Sequence, residues 1–191
     1  PWVGPGATSQ VKLETFSLSK DSIRSAMTVN LNMTFEEVTL PYNISAGTDP
    51  DAKPDFPVWV FGPPRSGDST VDGALPTILL LGGLGLNKPD QMETITPLVE
   101  MGYRIICFDM PGTGDAPITG RYNNQSSDSP LWDSVVDFFK GRPQQFDLGN
   151  VYAYGPSTAA YYIFRMMYTH GENFVAGVGQ GGPVHYSFEA E

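Results

Sequence analysis

Four apolar runs, each broken by glycine, proline or aspartate, constrain this chain more than any other feature. Residues 77–81 (Thr-Ile-Leu-Leu-Leu) run into Gly82-Gly83-Leu84-Gly85, and the strand over 103–108, with its apolar run Ile105-Ile-Cys-Phe108, runs into Asp109. Residues 151–154 (Val-Tyr-Ala-Tyr) run into Gly155, and residues 174–179 into Gln180-Gly181-Gly182-Pro183. A strand that is apolar on both faces suits the middle of a parallel sheet covered by helices. Between the runs the spacing predicts helices over 90–101, 129–140 and 157–170. Asp90 can cap the first, Gly102 follows its end, and Pro130 starts the second. The second helix puts Leu131, Val135, Phe138 and Phe139 on one side. The order β-α-β-α-β-α-β requires an α/β fold, a mostly parallel sheet with helices on both faces.

Upstream the character differs. Residues 33–40 alternate imperfectly and 57–61 (Pro-Val-Trp-Val-Phe) are apolar, so the two predict an N-terminal antiparallel hairpin at a sheet edge. Residues 42–55 and 62–73 are rich in Gly, Pro, Asn and Asp and read as loops. Residues 1–10 read as a loose tail and 19–27 as a short helix. The expected organisation is therefore a tail with a short helix over 1–30, followed by one domain over 31–191.

Composition excludes several classes. With 11 Lys and Arg against 21 Asp and Glu, the net charge is -10, and no basic cluster exists for phosphate contact. No run approaches the roughly 18 apolar residues of a membrane span. The single cysteine, Cys107, rules out an internal disulfide and reads as a core residue. No His/Cys/Asp grouping has metal-ligand spacing, so neither a metal nor another cofactor is expected. Gly112-Thr113-Gly114 lacks the remainder of a phosphate-binding loop. The sequons at Asn32, Asn43 and Asn124 weakly favour a secretory route, and localisation is otherwise open.

Ser157 carries the chemistry. Gly155-Pro156-Ser157-Thr158-Ala159 joins the strand over 151–154 to the helix that follows. A serine between small residues on a strand–turn–helix corner is the layout of a nucleophile elbow. An ordinary helix N-cap would use the same residue type. The Thr158 amide would donate to an oxyanion, and the loop after the 77–81 strand would supply the second donor, the Leu84 amide. Gly83 and His185 are candidate substrate contacts at the same sheet edge. His170 stands thirteen residues along the helix, roughly 20 Å from Ser157, too far to act as its base. Its expected role is a favourable charge at a helix C-terminus. Asp147, Glu172, Glu189 and Glu191 are weak candidates for a triad acid.

Taken together, Leu79-Leu-Leu-Gly-Gly-Leu84, Asp109-Met-Pro-Gly-Thr-Gly-Asp115, Leu131-Trp-Asp-Ser-Val-Val-Asp137, the Ser157 elbow with Tyr161, Tyr162 and Arg165, Tyr168-Thr-His170 and Val178-Gly-Gln-Gly181 resemble a known family. They are similar to the α/β-hydrolases of the fungal yellowish-green pigment group, which shorten polyketide chains and are related to fermentation-respiration-switch esterase-like hydrolases. The resemblance covers about residues 75–188. It implies a serine-dependent hydrolase that cleaves an ester, or a carbon–carbon bond beside a carbonyl, in an acyl or polyketide-like small molecule. It matches Ser157 to the nucleophile and Leu84 and Thr158 to the oxyanion positions. The family's acid and histidine come later than this chain reaches. The expectation is thus a partial α/β-hydrolase domain with C-terminal strands missing, completed by a further segment or a second chain. The alternative is an inactive hydrolase-fold module that binds a ligand or a protein.

Overall fold

The apolar runs become adjacent strands of one sheet. A computed structural model describes residues 9–30, 33–41, 55–64, 73–110, 113–116 and 129–182. Helix α1 (Ser9–Asn30) precedes strands β1 (Thr34–Pro41), β2 (Asp55–Gly62) and β3 (Leu75–Leu81). A 3-10 turn (Lys88–Gln91) leads into α2 (Met92–Glu100), then β4 (Arg104–Phe108) and α3 (Ser129–Lys140). Strand β5 (Phe146–Pro156), helix α4 (Ala159–His170) and strand β6 (Ala176–Gln180) follow. The sheet order is β1-β2-β4-β3-β5-β6. Strands β1 and β2 form the expected antiparallel hairpin, and β2 meets β4 antiparallel. The pairs β3–β4, β3–β5 and β5–β6 are parallel.

Period-two alternation sorts the strand side chains onto two faces. One face collects Leu79, Leu81, Ile106, Phe108, Val151 and Ala153 under α3 and α4. The other collects Trp59, Phe61, Leu80, Ile105 and Cys107 under α2, with Ile23 of α1 beside them. Leu131, Val135, Phe138 and Phe139 are buried as the helical spacing predicts. Trp132 and Val136 are buried too, because α3 is wedged between the sheet and its neighbour α4.

Three boundaries differ from expectation. Helix α1 spans 22 residues rather than the nine of 19–27, and takes in two residues of the expected tail. Its apolar pattern is weak, and polar contacts hold it instead: Arg24 pairs with Glu37 at 2.8 Å, and Glu37 also accepts the Trp59 indole N–H at 2.6 Å. Strand β5 begins at Phe146 rather than residue 151, pairing Phe146 with Leu75 across a register shift. The polar stretch in between had the composition of a loop. Asp90 does not cap α2. It lies within the 3-10 turn and accepts the Asn87 amide at 3.0 Å. Asn32, Asn43, Asn124, the 111–112 turn and His185 lie outside the described residues.

Trp132 is 1% exposed and packs edgewise between Phe108 and Tyr162, with ring centroids at 5.9 and 6.3 Å. Trp132→Ala should cost about 3–5 kcal/mol. Urea unfolding should show this as a lower midpoint with an unchanged slope.

Candidate active site

The corner between β5 and α4 is built so that one residue must take an unfavourable backbone. Ser157 has φ 53°, the left-handed region, and is the one non-glycine residue with positive φ among those described. Such a conformation costs on the order of 1–3 kcal/mol and persists only where surroundings enforce it. Here they do. The Ser157 amide donates to the Gln180 carbonyl at 2.7 Å, at the end of the neighbouring strand β6. The Ser157 carbonyl accepts the Ala160 amide at 3.0 Å, closing the first turn of α4. Gly155 lets strand and helix come together, since a Cβ there would meet Ile163 Cγ1 at 2.7 Å and Ala159 Cβ at 2.9 Å. The side chain of Ser157 is exposed, and among the described residues its hydroxyl makes no capping bond. Thr158, not Ser157, occupies the cap position of α4.

The sheet register brings the loop after β3 to this corner. Leu80 pairs with Tyr154, so Gly82 and Gly83 continue alongside Pro156 and Ser157. A Cβ on Gly83 would lie 3.1 Å from Ser157 Cβ and 3.8 Å from its Oγ. A side chain at position 83 would therefore crowd the hydroxyl. The Leu86 amide donates to the Gly83 carbonyl at 3.0 Å, turning the loop and leaving Leu84 exposed at its tip. Among the described residues neither the Leu84 nor the Thr158 amide has a hydrogen-bond partner.

The structure thus brings Ser157, Gly83 and the chain positions of Leu84 and Thr158 to one end of the sheet. It does not bring His170 there. His170 is buried against α3, with Nε2 2.8 Å from Asp133 Oδ1 and Nδ1 2.7 Å from Thr169 Oγ1. It closes α4 at its C-terminus, where it was expected, and there it also engages Asp133 of α3. Asp147 is occupied by the Gly149 amide and the Asn150 side chain, and Glu172 by Asn173. Glu189 and Glu191 lie outside the described residues. Cys107 is fully buried, and burial, aided by the Asp109 charge, pushes its thiol far above the ordinary value, so it stays protonated.

Sequence reasoning missed a buried ion network beside the loop. Lys88 Nζ lies 2.6 Å from Asp109 Oδ2 and 3.1 Å from Asp115 Oδ2, and Lys20 Nζ reaches Asp115 at 2.8 Å. The side chains of Lys88 and Asp109 are both 0% exposed. One signal was available. Asp109 directly follows the apolar run 105–108 of a buried strand, and a carboxylate at such a place must find a cation.

No protein-family profile and no curated protein matches the chain. Solved structures do. The 2,6-dihydroxy-pseudo-oxynicotine hydrolase matches with a TM-score of 0.60 at 15% identity, over 88% of this chain and 42% of its own. The dienelactone hydrolase-like promiscuous phosphotriesterase P91 from metagenomic libraries matches with 0.56 at 19% identity, over 79% and 60%. FphF of Staphylococcus aureus, a fluorophosphonate-binding serine hydrolase, matches with 0.53 at 16% identity, over 78% and 57%. The fold is that of the α/β-hydrolases. The chain spans about half the length of these solved proteins. None of them carries the pigment-group resemblance further.

Two outcomes follow from this geometry. Ser157→Gly should raise stability by about 1 kcal/mol by relieving the left-handed strain, measured by thermal unfolding, whereas Ser157→Val should lower it. The ion network sets a pH dependence. Burial by itself would raise the Asp115 carboxyl, but Lys88 and Lys20 hold it below its ordinary 3.8. Its contribution is then complete above pH 3.8 and fades as pH falls through the lowered value. Burial would lower the Lys88 ammonium, but Asp109 and Asp115 hold it above its ordinary 10.5, so its contribution fades only as pH rises beyond that. The urea midpoint of Asp115→Asn should lie below wild type at neutral pH, and the gap should close in acid.

Proposed function

We propose that this chain carries the nucleophile and oxyanion half of a serine hydrolase site of the α/β-hydrolase type. The observation that carries the reading is the exposed Ser157 at φ 53°, with Gly83 directly opposite its hydroxyl. A strained, exposed serine on a strand-to-helix corner serves no capping purpose here, and it is what acyl transfer requires. Ser157 Oγ attacks a carbonyl carbon. The amides of Leu84 and Thr158 donate to the oxygen as it becomes negative, each worth on the order of 3 kcal/mol when preorganised. The positive end of α4 adds to that field.

The substrate proposed is an acyl compound, either an ester or a molecule cleaved at a carbon–carbon bond beside a carbonyl, in the manner of polyketide shortening. The ordered blocks from Leu79 to Gly181 support this finer reading. The exposed Leu84 and Leu86 at the mouth of the site suit an apolar acyl group. The proton of Ser157 needs a base, and among the described residues no histidine stands at the elbow. We propose that further polypeptide supplies it, together with strands that extend the sheet beyond β6. A groove of about 450 Å³ between α2 and the outer strands supports this, lined by Ile78, Leu98, Met101, Tyr152, Tyr154 and Val178. It is an apolar face with room for a covering element.

A fluorophosphonate tests the reading directly. Ser157 Oγ displaces fluoride from phosphorus and its proton leaves to the buffer. The expected result is one covalent adduct located at Ser157 by mass spectrometry and absent from Ser157→Ala. No label on the folded full-length protein, further polypeptide included, would favour a hydrolase-fold module that binds ligand or protein without turnover.

A further inference from the structure

We propose that Lys88 is a positioning residue for the oxyanion donors: its buried pairing with Asp109 fixes the 82–87 loop against the elbow. This rests on the reading of Ser157 and Leu84 given above. The loop runs from the end of β3, past Ser157, to the 3-10 turn at Lys88. Its near end is held by the β3–β5 register. At its far end, beside the Asn87–Asp90 turn, Lys88 is held in two ways. The Lys88 backbone amide donates to Asp109 Oδ1 at 2.8 Å, and its ammonium donates to Asp109 Oδ2 at 2.6 Å. One side chain on β4's end thus grips both the backbone and the tip of the same residue, a bidentate arrangement that fixes orientation as well as distance.

The grip is transmitted to the site by close packing. Lys88 stands two residues after Leu86, and a Cβ on Gly82 would collide with the Leu86 carbonyl and the Gln91 side chain, so glycine lets the loop fold back there. The Leu86 amide in turn holds the Gly83 carbonyl, and Gly83 faces Ser157. Moving Lys88 therefore moves the segment whose Leu84 amide must meet the developing oxyanion. Asp109 is itself braced: it accepts the Asp115 amide at 2.9 Å, and Gly114 packs on its carboxylate. Asp115 passes the network to Lys20 of α1, and the Lys88 ammonium lies 5.8 Å from the Trp59 ring centroid. A surface loop would need no such anchor. A buried lysine held by two carboxylates is costly unless every partner is in place, so its position is sharply defined.

The test uses the fluorophosphonate on the full-length protein, further polypeptide included, with the maximal labelling rate separated from the half-saturating probe concentration. Lys88→Met should lower the maximal rate roughly 10- to 100-fold, as expected for misplacing a transition-state donor, and leave the half-saturating concentration within about twofold. A merely structural role would leave both unchanged in protein that is folded at the assay temperature. Lys88→Met buries an unpaired Asp109, so Lys88→Met/Asp109→Asn, which removes both charges, is measured beside it. Lys20→Met, which touches only the outer limb, should label at the wild-type rate. Equal maximal rates in wild type and a folded Lys88 variant would overturn the inference and leave the nucleophile reading intact. Failure of wild type to label would overturn both. If neither Lys88 variant folds, the network is a determinant of the fold and the positioning role is withdrawn.

Discussion

The arrangement at this sheet edge depends on one backbone torsion. A residue with a Cβ is held left-handed at the β5–α4 corner because three neighbours leave it no alternative. Strand β6 takes its amide, α4 takes its carbonyl, and Gly155 allows the two elements to approach from behind. The sheet register then determines what lies opposite, and it is a glycine rather than a side chain. Burial of the strands on both faces fixes that register, since a one-residue slip would turn every core residue outward. The exposed hydroxyl is therefore a product of core packing beneath it, although the hydroxyl itself touches little.

The second constraint is electrostatic. Beyond the last strand pair, Leu81 with Phe108, the segments leaving β3 and β4 are joined by Lys88 and Asp109, charges taken entirely out of water. Replacing such a pair with apolar groups is often harmless to stability, while removing one partner is not. What the ions supply beyond stability is direction, because a fork of hydrogen bonds holds one orientation where leucine on leucine would tolerate several.

Much of this was legible in the sequence, for identifiable reasons. The runs 78–81 and 105–108 are too uniformly apolar to be anything but central strands, and glycine and aspartate mark their ends. Ser157 was legible because small residues flank it on a strand–helix corner. Helix α1 was legible only over 19–27, because contacts such as Arg24 with Glu37 and Lys20 with Asp115 hold it, and pairing across such distances leaves no periodic trace. The same limit hid the role of Lys88. Its position in the chain resembles any lysine before a proline, and only the fold shows that it faces Asp109. The start of β5 at Phe146 was obscured by Asp147, Gly149 and Asn150, whose local hydrogen bonds let a polar stretch follow an extended path.

The bond from Ser157 to Gln180 ties the β5–α4 corner to the outermost described strand of the sheet. Outer strands fray first, and β6 has exposed Ala176, Val178 and Gln180 along its length. When that strand peels away, the torsion that presents the hydroxyl loses its backstop and can relax toward the right-handed region. Whatever clamps the rim of the sheet would thereby also hold Ser157 in the backbone conformation that turns its side chain to solvent.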